Sequence, residues 1–370
     1  MEPEVQIPES RSPKYFNYIK VFLALLLFIF AIDLLTVAMS AINSGVALEI
    51  LQVTSNPFVS LFIGLLVTAL IQSSSTVTAS VVAIVASGNL TLQQAVPIVL
   101  GANIGTTLTS TLVSFSFIMK KKEFRRALTA GIVHDLFNII TVILLFPLEV
   151  YFGFLSKISE KVASLFASDN NFDGPIIYNR MFTRSISEWI IEVINIPFLT
   201  MLLSIFMVFL AIKVLSTEMY RTFIKNSFEE INKIIFQKTG LAFLYGIFFT
   251  AAVQSSTVTT SLVVPLVASK KVSVAKSFPF IIGANIGTTI TAVIASIYKS
   301  EAAIALAIVH ILFNSFGALI FLPFPEIRQL PVRLAESMGR ISLKYRVVGF
   351  AYILLTFFII PFLLIYFSRD

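Results

Sequence analysis

Gln72-Ser73-Ser74-Ser75-Thr76-Val77-Thr78, followed by Gly101-Ala102-Asn103-Ile104-Gly105-Thr106-Thr107, is a pair of polar blocks set in apolar sequence, and the chain contains the pair twice. The second copy reads Gln254-Ser255-Ser256-Thr257-Val258-Thr259, then Gly283-Ala284-Asn285-Ile286-Gly287-Thr288-Thr289. From Gln72 to Gln254 (254 − 72) and from Gly101 to Gly283 (283 − 101) the separation is 182 residues both times. The four blocks recur in one order at one separation, and they are expected to meet in a single ion and substrate site.

The surrounding composition says where such a site must lie. The chain is 57% hydrophobic and 13% charged, with mean hydropathy +0.91. A soluble domain is nearer 45–50% apolar and about 25% charged, so both departures indicate a membrane protein. The net charge of +7 does not indicate nucleic acid, because the basic residues sit between apolar spans, as cytoplasmic loops do. There is no cysteine, which excludes a disulfide framework and a thiolate metal site. Met1 to Asn17 is polar, and the apolar run after it is too long for the core of a signal peptide. A short cytoplasmic tail is expected there.

Tyr18 to Ala41 is long enough for the roughly 20 residues that a crossing needs. It contains Asp33, and a carboxylate inside a membrane is costly and faces the protein interior. Asp33 therefore either hydrogen-bonds a neighbouring helix or contributes to ion binding. Phe58 to Ile71 and Val77 to Ala86 flank the first Gln-Ser-Ser-Ser block, and each arm is about half a crossing. Two such arms with a polar tip predict a re-entrant helical hairpin. Gln93 to Ile118 can span, but the glycines at 101 and 105 predict an unwound interruption over Gly101 to Gly105. Lys120 to Arg126 then reads as a cytoplasmic loop, and Ala127 to Phe146 returns outward with His134, Asp135 and Asn138. Leu155 to Glu192 is a polar outside loop, Phe198 to Leu215 crosses inward, and Tyr220 to Gly240 suits a cytoplasmic surface helix.

The second copy repeats this pattern. Leu241 to Val253 and Val258 to Ala268 are half-length arms, Phe278 to Ile297 is interrupted at Gly283 to Gly287, and Ala302 to Phe321 carries His310 and Asn314. Arg328 to Arg346 marks another inside loop, and Val347 to Phe367 is the last span. Three full crossings separate the hairpins, and an odd number turns the second copy over. The expected fold is an all-α polytopic membrane protein of two inverted-topology repeats, each with a re-entrant helical hairpin and a broken transmembrane helix.

Backbone carbonyls with Asn, Ser and Thr oxygens suit a small hard cation, and the amide ends of half-helices suit an anion. No Lys or Arg lies in the four blocks. An oxyanion held there by neutral donors needs cations as escorts, because a dianion is poorly tolerated in a low-dielectric interior. His134-Asp135 beside the serines invites a hydrolase reading, but His310 is followed by Ile311. No catalytic residue is expected.

At these same residues the chain resembles the type II sodium–phosphate cotransporter family, whose motifs are paired Gln-Ser-Ser-Ser hairpins and Gly-Ala/Ser-Asn-Ile-Gly-Thr broken helices. The likeness extends to Glu123-Phe124-Arg125-Arg126, Val133-His134-Asp135 and Lys344-Tyr345-Arg346. It departs at Thr257, where the family commonly has a third serine, and in a short outside loop without cysteines. The resemblance implies sodium-coupled import of inorganic phosphate at the cell membrane by a multi-pass carrier, with a mobile core moving against scaffold spans. It implies phosphate contacts at Gln72, Ser73, Ser74, Ser75, Gln254, Ser255, Ser256 and Thr257. It implies sodium contacts at Gly101, Asn103, Thr106, Thr107, Gly283, Asn285, Thr288 and Thr289. Apart from the resemblance, the intramembrane groups Asp33, His134 and Asp135 are secondary site candidates. Sodium is the co-transported ion and no organic cofactor is expected. The partners expected are phosphate, sodium and the lipid bilayer, not nucleic acid, and a homodimer is left open. The expected segments are 1–57 (tail and first scaffold span), 58–150 (first repeat), 151–240 (outside loop, scaffold span and surface helix), 241–323 (second repeat) and 324–370 (cytoplasmic loop and last span). Carriage of another oxyanion, such as sulfate or a dicarboxylate, on sodium or protons is the alternative within transport. A phosphate sensor or channel is the alternative outside it. Ser74→Ala and Ser256→Ala are each expected to weaken phosphate uptake strongly without unfolding the protein; wild-type transport in a correctly inserted double mutant would contradict the site.

Overall fold

Inside a bilayer each backbone amide and carbonyl needs an internal partner, so a chain this apolar crosses as helix or as a closed barrel. Its long apolar runs lack the alternation of strands, and the computed structural model is helical, with no strand, over the residues it describes: 14–42, 44–167, 183–224, 234–297, 299–345 and 347–367. Seven helical stretches among them are long and apolar enough to cross a membrane. The protein is an all-α, multi-pass membrane protein. Met1 to Pro13 of the expected tail, part of the outside loop and Lys225 to Lys233 of the expected surface helix lie outside the described residues, and Lys14 to Asn17 of the tail already belong to the first helix.

The first span is α1 (Lys14–Ser40). A short α2 (Ser44–Val53) then bends by 100° into α3 (Pro57–Ile71). Asn56 caps α3 by accepting the amides of Phe58 and Val59, and Pro57 suits the first helical position. α4 (Ser74–Ala86) doubles back. α5 (Leu92–Gly105) and α6 (Leu108–Ser114) together cross, and α7 (Lys121–Phe152) returns. α8 (Phe154–Ala167) and α9 (Arg184–Ile194) precede the span α10 (Pro197–Met219), which packs along α1. The second half repeats the series as α11 (Thr239–Val253), α12 (Ser256–Ala268), α13 (Val274–Gly287), α14 (Ile290–Ser296) and α15 (Glu301–Phe321). α16 (Pro325–Lys344) leads to the last span, α17 (Val347–Leu354) and α18 (Ile360–Phe367) joined through a π turn.

The hairpin arms α3 and α11 have 15 residues, and α4 and α12 have 13. All four fall short of the ~20 residues of a full crossing. What holds each first arm to its neighbour is close backbone contact. A Cβ placed on Gly101 would lie 1.8 Å from the Leu61 carbonyl oxygen, and one on Gly283 would lie 2.1 Å from that of Phe243. Leu61 and Phe243 are again 182 apart, so the sites match position for position.

That contact corrects one expectation. Gly101 to Gly105 and Gly283 to Gly287 are helical, not unwound, and the breaks fall at Thr106–Thr107 and Thr288–Thr289. These glycines allow α3 against α5 and α11 against α13. Keeping their backbone helical also keeps it hydrogen-bonded in the bilayer. Three expected loops are helical as well, in whole or in part: Leu155 to Ala167 and Arg184 to Glu192 of the outside loop lie in α8 and α9. Lys121 to Arg126 form the first turns of α7, and Arg328 to Lys344 belong to α16.

Burial joins the halves crosswise. The core around α3, α4 and α5 takes Ala303, Leu306, Val309 and Phe313 from α15. The core around α11, α12 and α13 takes Phe124, Leu128, Val133 and Phe137 from α7. The helix that closes each repeat thus packs into the other repeat.

Asp33 is fully buried, and its partners lie outside the repeated blocks. Its Oδ2 accepts Thr183 Oγ1 and Ser187 Oγ, each at 3.0 Å, and Lys299 Nζ lies 3.3 Å from Oδ1. Burial pulls the Lys299 ammonium down to about 8, and the Asp33 charge opposes that fall. The pair ties α1 to α9 and to the turn before α15. Lys299→Met should lower stability by about 3–5 kcal/mol, because it strands a buried carboxylate, and adding Asp33→Asn should restore most of that. Thermal unfolding in detergent reads both, and equal stability of the single and double variants would contradict the pairing.

Candidate functional site

Both hairpin tips share one backbone device. Gln72 (φ 57°) and Gln254 (φ 56°) sit in the left-handed region and end α3 and α11. Ser73 and Ser255 are extended and cap the returning arms, accepting the amides of Thr76 and Val258. A helix start leaves its first amides unpaired by the helix itself. The start of α4 therefore presents the amides of Ser74 and Ser75, and the start of α12 those of Ser256 and Thr257. Two helix N-termini, each with partial positive charge, are set within the protein at the tips.

The tips meet. Ser75 Oγ donates to the Gln254 carbonyl at 3.1 Å and lies 3.2 Å from Thr288 Oγ1. Ser74 Oγ donates to Thr106 Oγ1 at 3.1 Å, and Thr106 Oγ1 lies 3.4 Å from Thr257 Oγ1. Each break therefore touches the tip of the opposite hairpin, and one hydroxyl network joins all four blocks. Ser110 and Thr260 belong to no block, yet their hydroxyls lie 2.9 Å apart and make a second contact between the halves, with Thr260 also donating to the Ser256 carbonyl. Helical spacing is the signal that marks them, since they follow Thr106 and Ser256 by four residues on the same faces. Ser74, Ser75 and Ser256 are buried, and Ser73, Ser255 and Thr257 are half-buried. The symmetry fails at one point: Gln72 is exposed and Gln254 is buried.

The sodium candidates divide into groups. Thr106 and Thr288 lie in the hydroxyl network. Thr107 and Thr289 donate to the carbonyls of Ile104 and Ile286 three residues back. Gly101 and Gly283 face the hairpin arms. The two asparagines are held elsewhere. Asn285 Oδ1 meets His134 Nε2 at 2.8 Å, and Asn285 Nδ2 donates to Asn138 Oδ1 at 2.9 Å. Asn103 Oδ1 meets His310 Nε2 at 3.2 Å and accepts Asn314 Nδ2 at 3.3 Å, and Asn103 Nδ2 donates to the Val99 carbonyl. The closing helix of each repeat thus clamps the central Asn of the other with a His and an Asn one turn apart. An Asn oxygen is an acceptor, so Nε2 of each histidine carries the proton. His134 is turned to an asparagine and not to a serine, so no serine–histidine pair forms. Asp135 is buried beside it, with Oδ2 accepting Thr111 Oγ1 at 3.0 Å.

The clamp has an energetic signature. His134→Ala and Asn285→Ala should couple by about 0.5–3 kcal/mol in a double-mutant cycle on thermal unfolding. His134→Ala with Asn103→Ala, taken from different clamps, should add. Additivity within the first pair would contradict the clamp.

The chain matches the model of the Na+/Pi-cotransporter family over residues 27–156 and 205–326. Among curated proteins, sodium-dependent phosphate transport protein 2A of Ovis aries is 31% identical across 91% of this chain and 65% of its own length. Sodium-dependent phosphate transport protein 2B is 28% identical in Pongo abelii, over 90% of this chain and 63% of that protein. In Homo sapiens it is 29% identical, over 90% and 62%. The chain spans a little under two thirds of the length of these relatives. No solved structure matches it.

Proposed function

This chain belongs to the type II sodium–phosphate cotransporter family, and on that footing we propose that it imports inorganic phosphate through the cell membrane, driven by sodium. The observation that carries the reading is the hydroxyl network in which each hairpin tip touches the break of the other repeat. Phosphate would lie between the starts of α4 and α12. It would be held by their free amides and by the hydroxyls of Ser74, Ser75, Ser256 and Thr257, with Gln72 and Gln254 at the rim. These donors are neutral, so sodium ions on nearby hydroxyl and carbonyl oxygens supply the countercharge that a buried dianion needs. Thr106 and Thr288 are the strongest cation ligands of the set, because their side chains already lie in the network. Asn103 and Asn285 serve as its frame.

Transport follows from alternating access. With the N-terminus inside, α3 and α4 enter from the outer face and α11 and α12 from the cytoplasm. The two hairpins then approach the midplane from opposite sides, as in inverted repeats. Gln72 at the inward-pointing tip is open and Gln254 at the outward-pointing tip is closed, which suits an inward-facing state. The crosswise cores and the two His–Asn clamps make the repeats one body. α1 and α10, packed on each other, are the scaffold against which that body moves.

Purified protein in liposomes should take up labelled phosphate with an inward sodium gradient and not with a potassium gradient. Ser75→Ala and Ser256→Ala should each weaken apparent phosphate affinity about 10- to 100-fold, the effect of one hydrogen bond to a charged group. Sodium-independent uptake, or wild-type affinity in both variants, would refute the proposal.

A further inference from the structure

Away from the hydroxyl network, α11, α13 and α16 begin around one cavity of about 270 Å3, lined by Lys238, Thr239, Lys276, Arg328 and Gln329 over a floor that includes Pro279 and Val332. Three cations from three distant stretches of chain line it, and no carboxylate does among the described residues. A neighbouring cavity, lined by Arg125, Arg126 and Arg340, contains Glu336 and so carries its own counter-charge. Arg328 is held in place: Nη1 donates to Thr239 Oγ1 at 3.3 Å and to the Leu322 carbonyl at 3.4 Å. Basic residues on a cytoplasmic face are ordinary in a membrane protein. Their convergence on one concave site is what exceeds that pattern. The helix starts add to it, since neither Lys238 nor Phe324 caps its helix with a side chain. The volume lies below the ~300–1,000 Å3 of sites for drug-sized molecules, so a small polyanionic group fits better.

We propose that this cavity is a second anion site, distinct from the transport site, and that its ligand is a phosphate group. Two sources share that chemistry: free inorganic phosphate and the headgroup of an anionic phospholipid, which basic pockets at the cytoplasmic ends of membrane helices bind. An anion there bridges Lys238 on α11, Lys276 on α13 and Arg328 on α16. α11 ends at Gln254 and α13 carries Asn285, so occupancy fastens the arms of the second repeat to α16 and restrains their movement. The site regulates the carrier from outside the transport site.

The test is amide hydrogen exchange on the full chain in phosphatidylcholine nanodiscs, in three arms: no addition, phosphatidic acid in the bilayer, or inorganic phosphate in the buffer. Exchange should slow at the first turns of α11, α13 and α16 in at least one of the last two arms. Protection by phosphatidic acid identifies the lipid as source, and protection by inorganic phosphate identifies the free ion. The triple variant Lys238→Gln, Lys276→Gln, Arg328→Gln should need about 100-fold more ligand for the same protection, at the affinity that three basic residues contribute near a membrane. Lys276→Gln alone serves if the triple variant does not fold, and should need several-fold more. No protection in either arm, or undiminished protection in the variants, would overturn the site. The variants keep the transport site intact, so protection relayed from bound substrate there would persist in them. The test therefore stands whether or not the chain carries phosphate.

Discussion

A helix that stops halfway through a bilayer leaves bare amides and carbonyls where no water can satisfy them. This chain has two hairpin tips where a helix ends and turns back, and their polar groups are brought against the threonines of the two helix breaks. Ser74 and Ser75 at one tip, Thr257 and the carbonyl of Gln254 at the other, and Thr106 and Thr288 at the breaks serve as one another's partners. The same requirement explains why the network is made of hydroxyls. A hydroxyl donates and accepts, so it can satisfy a neighbouring end and still turn to meet an ion.

Bringing the ends together sets the rest of the architecture. Two hairpins can meet at their tips only if something fixes their depth and tilt. Each first arm lies against its broken helix at backbone contact, which fixes depth. Each broken helix is gripped by the His–Asn clamp of the other repeat, which fixes orientation. The halves share their cores, since α7 helps to fill that of the second repeat and α15 that of the first. The buried Asp33–Lys299 pair then links this body to α1 at one end.

Much of this was legible in the chain. The 182-residue repeat located both tips, and the short arms revealed the hairpins. The recurrence of the polar blocks at one separation led to the expectation that they meet, but not to the pairing of each tip with the opposite break. The glycines misled because glycine has two uses that look alike in sequence, loosening a backbone and letting another approach it. Only the carbonyls of Leu61 and Phe243, lying where a Cβ would be, decide for the second. The asparagines likewise resembled ligands, and the histidines that occupy them lie more than 150 residues away. His134 was compared with its neighbour Asp135 and looked unmatched at His310, although both histidines hold an asparagine across the repeats. Lys299 left no local trace: it is 266 positions from Asp33, and nothing near it announces a buried charge.

The contact between tip and opposite break can be read directly, because the chain contains no cysteine. Ser75→Cys with Thr288→Cys places one new thiol on each side of a contact now 3.2 Å long. Mild oxidation should join them within one chain, visible by mass spectrometry as a linked peptide pair that neither single variant gives. If both thiols react with a small alkylating reagent and yet never link, the tip of the first hairpin does not meet the break of the second repeat, and the site built from that meeting is wrong.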